Sequence, residues 1–149
     1  MSFDSEVDAE VLNVEVVLEP EAAALAALNH TPRQLKLIEA AMTEMWAAKS
    51  HLELVSADVN FHLSILRAAG NELLVPFGFL IESSLANLFD YTISRDDWEA
   101  ARPLHEAIVV AIRRRKPAAA RLAVRRLLQD TDAIIDRRMR VYRRRRATA

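Results

Sequence analysis

Cysteine is missing from all 149 residues, which excludes disulfides, thiolate nucleophiles and thiolate metal sites together. Its absence also fits a reducing cytoplasm. Glycine occurs only twice and proline five times, leaving little material for the tight turns on which a sheet protein depends. No glycine-rich phosphate loop exists. No apolar run approaches the roughly 20 residues that span a bilayer. The first thirty residues are acidic, not basic and apolar as in a signal peptide. These absences predict a soluble cytoplasmic protein with no membrane partner.

What is present favours helix. A hydrophobic share of 52% over this length supplies one sizeable core and is too short for two comfortable ones, so the whole of 1–149 is read as a single domain. Net charge is only -1, yet it is sorted along the chain. Asp4, Glu6, Asp8, Glu10, Glu15, Glu19 and Glu21 precede the first basic residue, while Arg137, Arg138, Arg140 and Arg143 to Arg146 crowd the end. Residues 143–149 are read as a frayed, solvated basic tail in preference to a nucleic-acid site.

Periodicity predicts an all-α antiparallel bundle of six or seven helices. The first spans about Val7 to Leu28, with Pro20 either kinking it or opening a second segment near Glu19. Thr31-Pro32 reads as N-cap and first helical residue of the next, which ends near Lys49. A third is expected from about Ser56 to Gly70, where Gly-Asn supplies a helix stop. A fourth, Leu73 to about Ile93, is apolar on more than one side, as in a central helix or one that covers a second subunit; Pro76 and Gly78 fall in its first turns. Ser94 caps the fifth, with Asp96 and Asp97 in the first turn. After Pro117 the last helix runs to about Arg143.

Two helices carry titratable groups on their inward faces. Asp58, Phe61, His62, Ile65 and Ala69 form one stripe, and His105, Ile108, Val109 and Ile112 another. A carboxylate and an imidazole four residues apart can grip one metal, to which a facing helix adds a third ligand; imidazole with carboxylate suits Zn, Ni, Mn or Fe. The alternative is a polar pair satisfied by its own hydrogen bond. His30 and His51, at loop or helix-end positions, are expected to be exposed. Trp46 and Trp98 are read as core or dimer contacts, and no Ser-His-Asp arrangement can be assembled around Ser83, Ser84 or Ser94.

The order of these features resembles the FCD domain, the effector-binding domain of FadR-like regulators in the GntR transcription-factor family. Leu18-Glu19-Pro20-Glu21-Ala22-Ala23-Ala24-Leu25-Ala26-Ala27 is similar to its opening helix, and Thr31-Pro32 with Leu35 to the start of its second. Asp58-Val59-Asn60-Phe61-His62 followed by Ala69-Gly70-Asn71 resembles its D-x-x-F-H helix and Gly-Asn stop. His105-Glu106-Ala107-Ile108, a basic turn, Pro117 and an Ala-Arg-rich helix resemble its close. The likeness covers about residues 14–135.

The resemblance implies a non-enzymatic, homodimeric sensor of a small carboxylated metabolite, coupled to DNA through a winged-helix domain not contained in these residues. It implies Asp58, His62 and His105 as ligands of a divalent metal. The family's fourth ligand, a histidine on the closing helix, falls on Leu127, so the metal is expected to bind weakly. Asn71 and Leu127 are the expected effector contacts, with a place in the helix-ending turn as the other, preferred reading of Asn71. Where many members carry an arginine in the opening helix, this chain has Glu15. A ligand-free helical dimerisation module and a metal-dependent hydrolase are the rival readings.

Overall fold

A computed structural model describes residues 5–89 and 94–147. Six α-helices follow in order: α1 (Ser5–Asn29), α2 (Pro32–Ala47), α3 (His51–Ala68), α4 (Gly78–Phe89), α5 (Arg95–Arg113) and α6 (Pro117–Ala147), with a 3-10 turn, Glu72–Phe77, before α4. No strand occurs among the described residues. The all-α bundle inferred from periodicity is the fold observed.

Local chemistry sets most boundaries. Thr31 caps α2 in a capping box, its hydroxyl accepting from Gln34 N while Gln34 Oε1 accepts from Thr31 N, and Pro32 fills the first position. Ser94 and Asp97 form the same box on α5. Gly70 ends α3 with φ +72, and a Cβ there would meet Asn29 Cβ at 3.0 Å. Only glycine meets both demands at low cost. At the end of α5, Arg115 takes the left-handed conformation with φ 55. Lys116 N and Arg115 N donate to the carbonyls of Ala111 and Ile112, closing a Schellman motif. The Arg115 guanidinium reaches the carbonyls of Leu28 and His30, so one side chain links the end of α5 to the end of α1.

Several boundaries depart from the sequence reading. Pro20 lies inside a continuous α1. Helix α3 starts at His51, earlier than the expected Ser56, because Ser50 caps it by accepting from Glu53 N. The expected fourth helix is split. Pro76 has no N–H to give an α-helical ladder, and the chain forms the 3-10 turn before α4 begins at Gly78. Leu73 and Phe79 are largely exposed, so this stretch is not a central helix. Its expected end near Ile93, and the side chains of Leu85, Leu88 and Phe89, lie outside the described residues. Helix α6 continues to Ala147, so most of the expected 143–149 tail is helical.

Cross-helix contacts give the directions. Arg121 pairs with Glu21 and Arg115 with the end of α1, so α6 runs antiparallel to α1. Glu19 meets His62 and Asn29 meets Ala69, so α1 and α3 run parallel. Arg113 binds Glu39 and Arg95 the carbonyl of Ala48, setting α5 antiparallel to α2. The core between them holds Phe61, Ile38, Met45, Leu66, Ile108 and Ile112, each of which is nearly or wholly excluded from solvent. Each such side chain contributes about 1.5–3 kcal/mol.

Candidate metal centre

The hydrophobic stripe of α3 places Phe61, Ile65 and Ala68 in the core and carries Asp58 and His62 inward with them. On α5, His105 shares its face with Trp98, Ala101, Ile108, Val109 and Ile112 and is likewise buried. The two stripes face each other across the bundle. Asp58 Oδ1 lies 3.4 Å from His62 Nε2 and 3.3 Å from His105 Nε2, and the three ligand atoms all fall within 4.8 Å of one another. Asp58, His62 and His105 thus converge, joining α3 and α5 through residues as far as 47 apart in sequence.

The rings are oriented from behind. His105 Nδ1 lies 3.0 Å from the carbonyl of Ala101; a carbonyl can only accept, so this nitrogen carries the hydrogen and Nε2 faces Asp58. His62 Nδ1 lies 2.8 Å from Glu19 Oε2, in a contact reaching over from α1. Aromatic rings wall the site. Trp98 stacks on His105 with an interplanar angle of 21° and a centroid distance of 5.8 Å, and Trp46 meets the same ring edge-on at 5.6 Å. Phe61 packs edge-on against both histidines, 5.5 Å from His62 and 5.4 Å from His105. The two tryptophans therefore serve the surroundings of His105, and Trp98 is core as expected.

Electrostatics follow from burial with opposite charges in contact. Burial disfavours the Asp58 carboxylate, but the field of His62 and hydrogen bonds from His105 and His62 outweigh it and hold its pKa below the ordinary carboxylate value. Burial likewise opposes charge on His62, yet Glu19 and Asp58 together raise its pKa well above the usual imidazole value. Among the described residues, the buried ionisable groups are Glu15, Glu19, Asp58, His30, His62 and His105, with no Lys or Arg.

The donor set fits a divalent metal. Ligand bonds of about 2.1 Å in a tetrahedron place neighbouring ligand atoms about 3.4 Å apart, which matches both nitrogen-to-oxygen separations at Asp58. Each histidine keeps its second nitrogen tied to an acceptor, the usual support for metal-binding imidazoles.

The other two expected site residues lie in the core and in the turn after α3. Leu127 is buried and belongs to the same continuous core cluster as Phe61, Trp98 and Ile108. Asn71 is exposed past the end of α3, where its Oδ1 accepts from Leu73 N and caps the 3-10 turn. His51 is exposed as expected. His30 is not: it is buried, with Nδ1 donating to the carbonyl of Ala26 at 2.7 Å, a C-terminal cap for α1. Glu19 is the site residue that the sequence reading did not assign. The available signal was a carboxylate at the head of the alanine stripe Ala22, Ala23, Ala26 and Ala27, where a polar group must be buried.

Comparison with known proteins agrees with this architecture. The chain is similar in fold to Streptococcus agalactiae GntR, at 22% identity and a TM-score of 0.71, covering 91% of this chain and 61% of that one. It is also similar to E. coli McbR/YncC, at 19% identity and a TM-score of 0.76, covering 92% and 67% respectively. The chain thus spans about 61% of the length of the first of these. No curated protein matches it in sequence. The model of the FCD domain matches residues 10–130. The chain belongs to the FCD domain family.

Proposed function

We propose that this domain is the effector-sensing and dimerisation part of a GntR/FadR-type transcriptional regulator, with no catalytic role. The observation that carries the proposal is the convergence of Asp58 Oδ1 with Nε2 of His62 and His105. In this reading the three hold a divalent metal, Zn, Ni, Mn or Fe, whose open position accepts the carboxylate of a small metabolite. The indole N–H of Trp46 supports it. This N–H is buried without an acceptor among the described residues, on a ring packed against His105, and is available to a ligand oxygen. Effector binding then biases two arrangements of a dimer and alters operator affinity, which requires unequal affinity for the two states. DNA contact belongs to a winged-helix domain outside these residues, and the protein acts in the cytoplasm. No helix among the described residues is long and apolar enough to cross a membrane.

The homodimer is proposed to use the segment from Leu73 to Phe79, where Leu73 is 79% and Phe79 71% exposed alongside Val75 and Phe77. The test of the sensor is titration calorimetry of the metal-stripped chain with Zn or Ni, beside Asp58→Asn. Binding by the wild type and its loss in the variant supports the centre. No heat and no rise in melting temperature at millimolar metal overturns it.

A second reading is a helical dimerisation module without ligand. It is favoured by the fact that Glu19, His62, Asp58 and His105 already form a continuous chain of carboxylate-to-imidazole contacts.

A further inference from the structure

Glu19 is a carboxylate buried on α1, 5% exposed, and no hydrogen-bond donor satisfies its Oε2 other than the ionic contact to His62 Nδ1 at 2.8 Å. A lone buried carboxylate is strongly disfavoured, and the partner that Glu19 finds is this histidine. We propose that Glu19 is the positioning residue of the metal centre: it holds the hydrogen of His62 on Nδ1 and so directs Nε2, as a ligand, toward Asp58. This inference rests on the metal-centre reading above.

Two imidazoles must offer the same kind of atom to one point, and the structure solves this differently for each. On α5 the acceptor behind His105 is local, the carbonyl of Ala101 four residues earlier. Behind His62 the acceptor comes from another helix. A nitrogen 2.8 Å from a carboxylate oxygen must carry hydrogen, because two lone pairs at that distance repel. With Nδ1 so engaged, Nε2 is the nitrogen left at 3.4 Å from Asp58 Oδ1. A carboxylate does this better than a carbonyl: its charge draws on the Nδ1 hydrogen and makes Nε2 a stronger electron donor. Glu19 stands on α1, which packs along α3, so its carboxylate reaches His62 from a neighbouring helix.

The experiment compares wild type, Glu19→Gln and Glu19→Asp for Zn affinity, read by competition with a chromophoric chelator. It also reads the His62 tautomer by nitrogen-15 NMR of the imidazoles in the metal-free chain, at a pH high enough that His62 carries a single hydrogen. Glu19→Gln keeps the shape and an acceptor but removes the charge; it is expected to weaken Zn binding about 10- to 100-fold with the His105 signals unchanged. Glu19→Asp keeps the charge but shortens the reach, and is expected to weaken it also. Zn affinity within twofold of wild type in a folded Glu19→Gln chain overturns the role of Glu19 alone. A wild-type His62 protonated only at Nε2 overturns it without any variant. A wild type that binds no Zn, with His62 protonated on Nδ1, overturns the metal centre and this inference with it.

Discussion

Asp58 Oδ1 lies 3.3 Å from His105 Nε2 and bridges two helices at the centre of the core, with His62 Nε2 on its other side at 3.4 Å. Removing the acid leaves two buried imidazole nitrogens without the carboxylate that both face. Asp58→Ala is expected to cost about 3–5 kcal/mol, the usual penalty for deleting one partner of a buried pair. Asp58→Asn should cost less, since an amide oxygen still accepts. Urea denaturation of the metal-free chains at neutral pH measures both, and equal midpoints for wild type and Asp58→Ala would contradict the structural role.

Gly70 offers a test of backbone geometry. Alanine there must adopt φ +72 and push against Asn29, whose amide also donates to the carbonyl of Ala69 at 2.8 Å. The conformation alone costs about 1–2 kcal/mol, and displacement of Asn29 adds the loss of a hydrogen bond between α1 and the end of α3. Gly70→Ala should therefore lower the denaturation midpoint with an unchanged denaturant slope. A variant as stable as wild type would show that the turn relaxes without strain.

The acid dependence of stability should carry a contribution from Asp97. This carboxylate caps α5 through Ser94 and pairs with Arg138 of α6, and these hydrogen bonds outweigh its burial and lower its pKa. An unfolded aspartate titrates near 3.9. The folded value lies lower, so the stabilisation is fully present above about pH 4 and is lost as the pH falls through the folded value. The stability gap between wild type and Asp97→Asn should accordingly narrow below about pH 4. A gap that stays constant to pH 2 would show that the charge of Asp97 contributes nothing.

Local signals carried the fold further than the site. Thr31-Pro32, Ser94-Asp97 and Gly70 act within a few residues, so their effects could be read directly, as could the Asp58 and His62 stripe on one helix face. The closing of that stripe onto His105 followed from both faces being apolar. Glu19 could not be assigned in the same way, because its contact with His62 depends on α1 and α3 lying parallel, a tertiary fact with no spacing rule. The burial of His30 has the same origin: a helix-end position suggests exposure, but the end of α1 is covered by Arg115, which reaches it from the turn after α5. The split before α4 is signalled by Pro76, whose missing N–H is tolerable in a first turn of the expected helix from Leu73 but here falls inside a 3-10 turn.

The Leu127 position separates the two readings of the core. The resemblance puts a histidine of metal-binding members at this place, and here the residue is a leucine 3% exposed in the same hydrophobic cluster as Phe61 and Trp98. If its side chain borders the three ligand atoms, Leu127→His adds a neutral nitrogen ligand held on α6, and Zn or Ni affinity should rise at least tenfold, about 1.4 kcal/mol. If Leu127 is only packing, Leu127→Ala costs about 2–5 kcal/mol. Leu127→His is then destabilising as well, with metal affinity unchanged. The two substitutions thus predict different pairs of results: gain in affinity with modest loss of stability, or loss of stability alone. Calorimetric titration together with thermal melts of wild type, Leu127→Ala and Leu127→His reads both. A folded Leu127→His chain with wild-type affinity would remove Leu127 from the metal site and leave Asp58, His62 and His105, with Glu19 behind them, as its whole protein contribution.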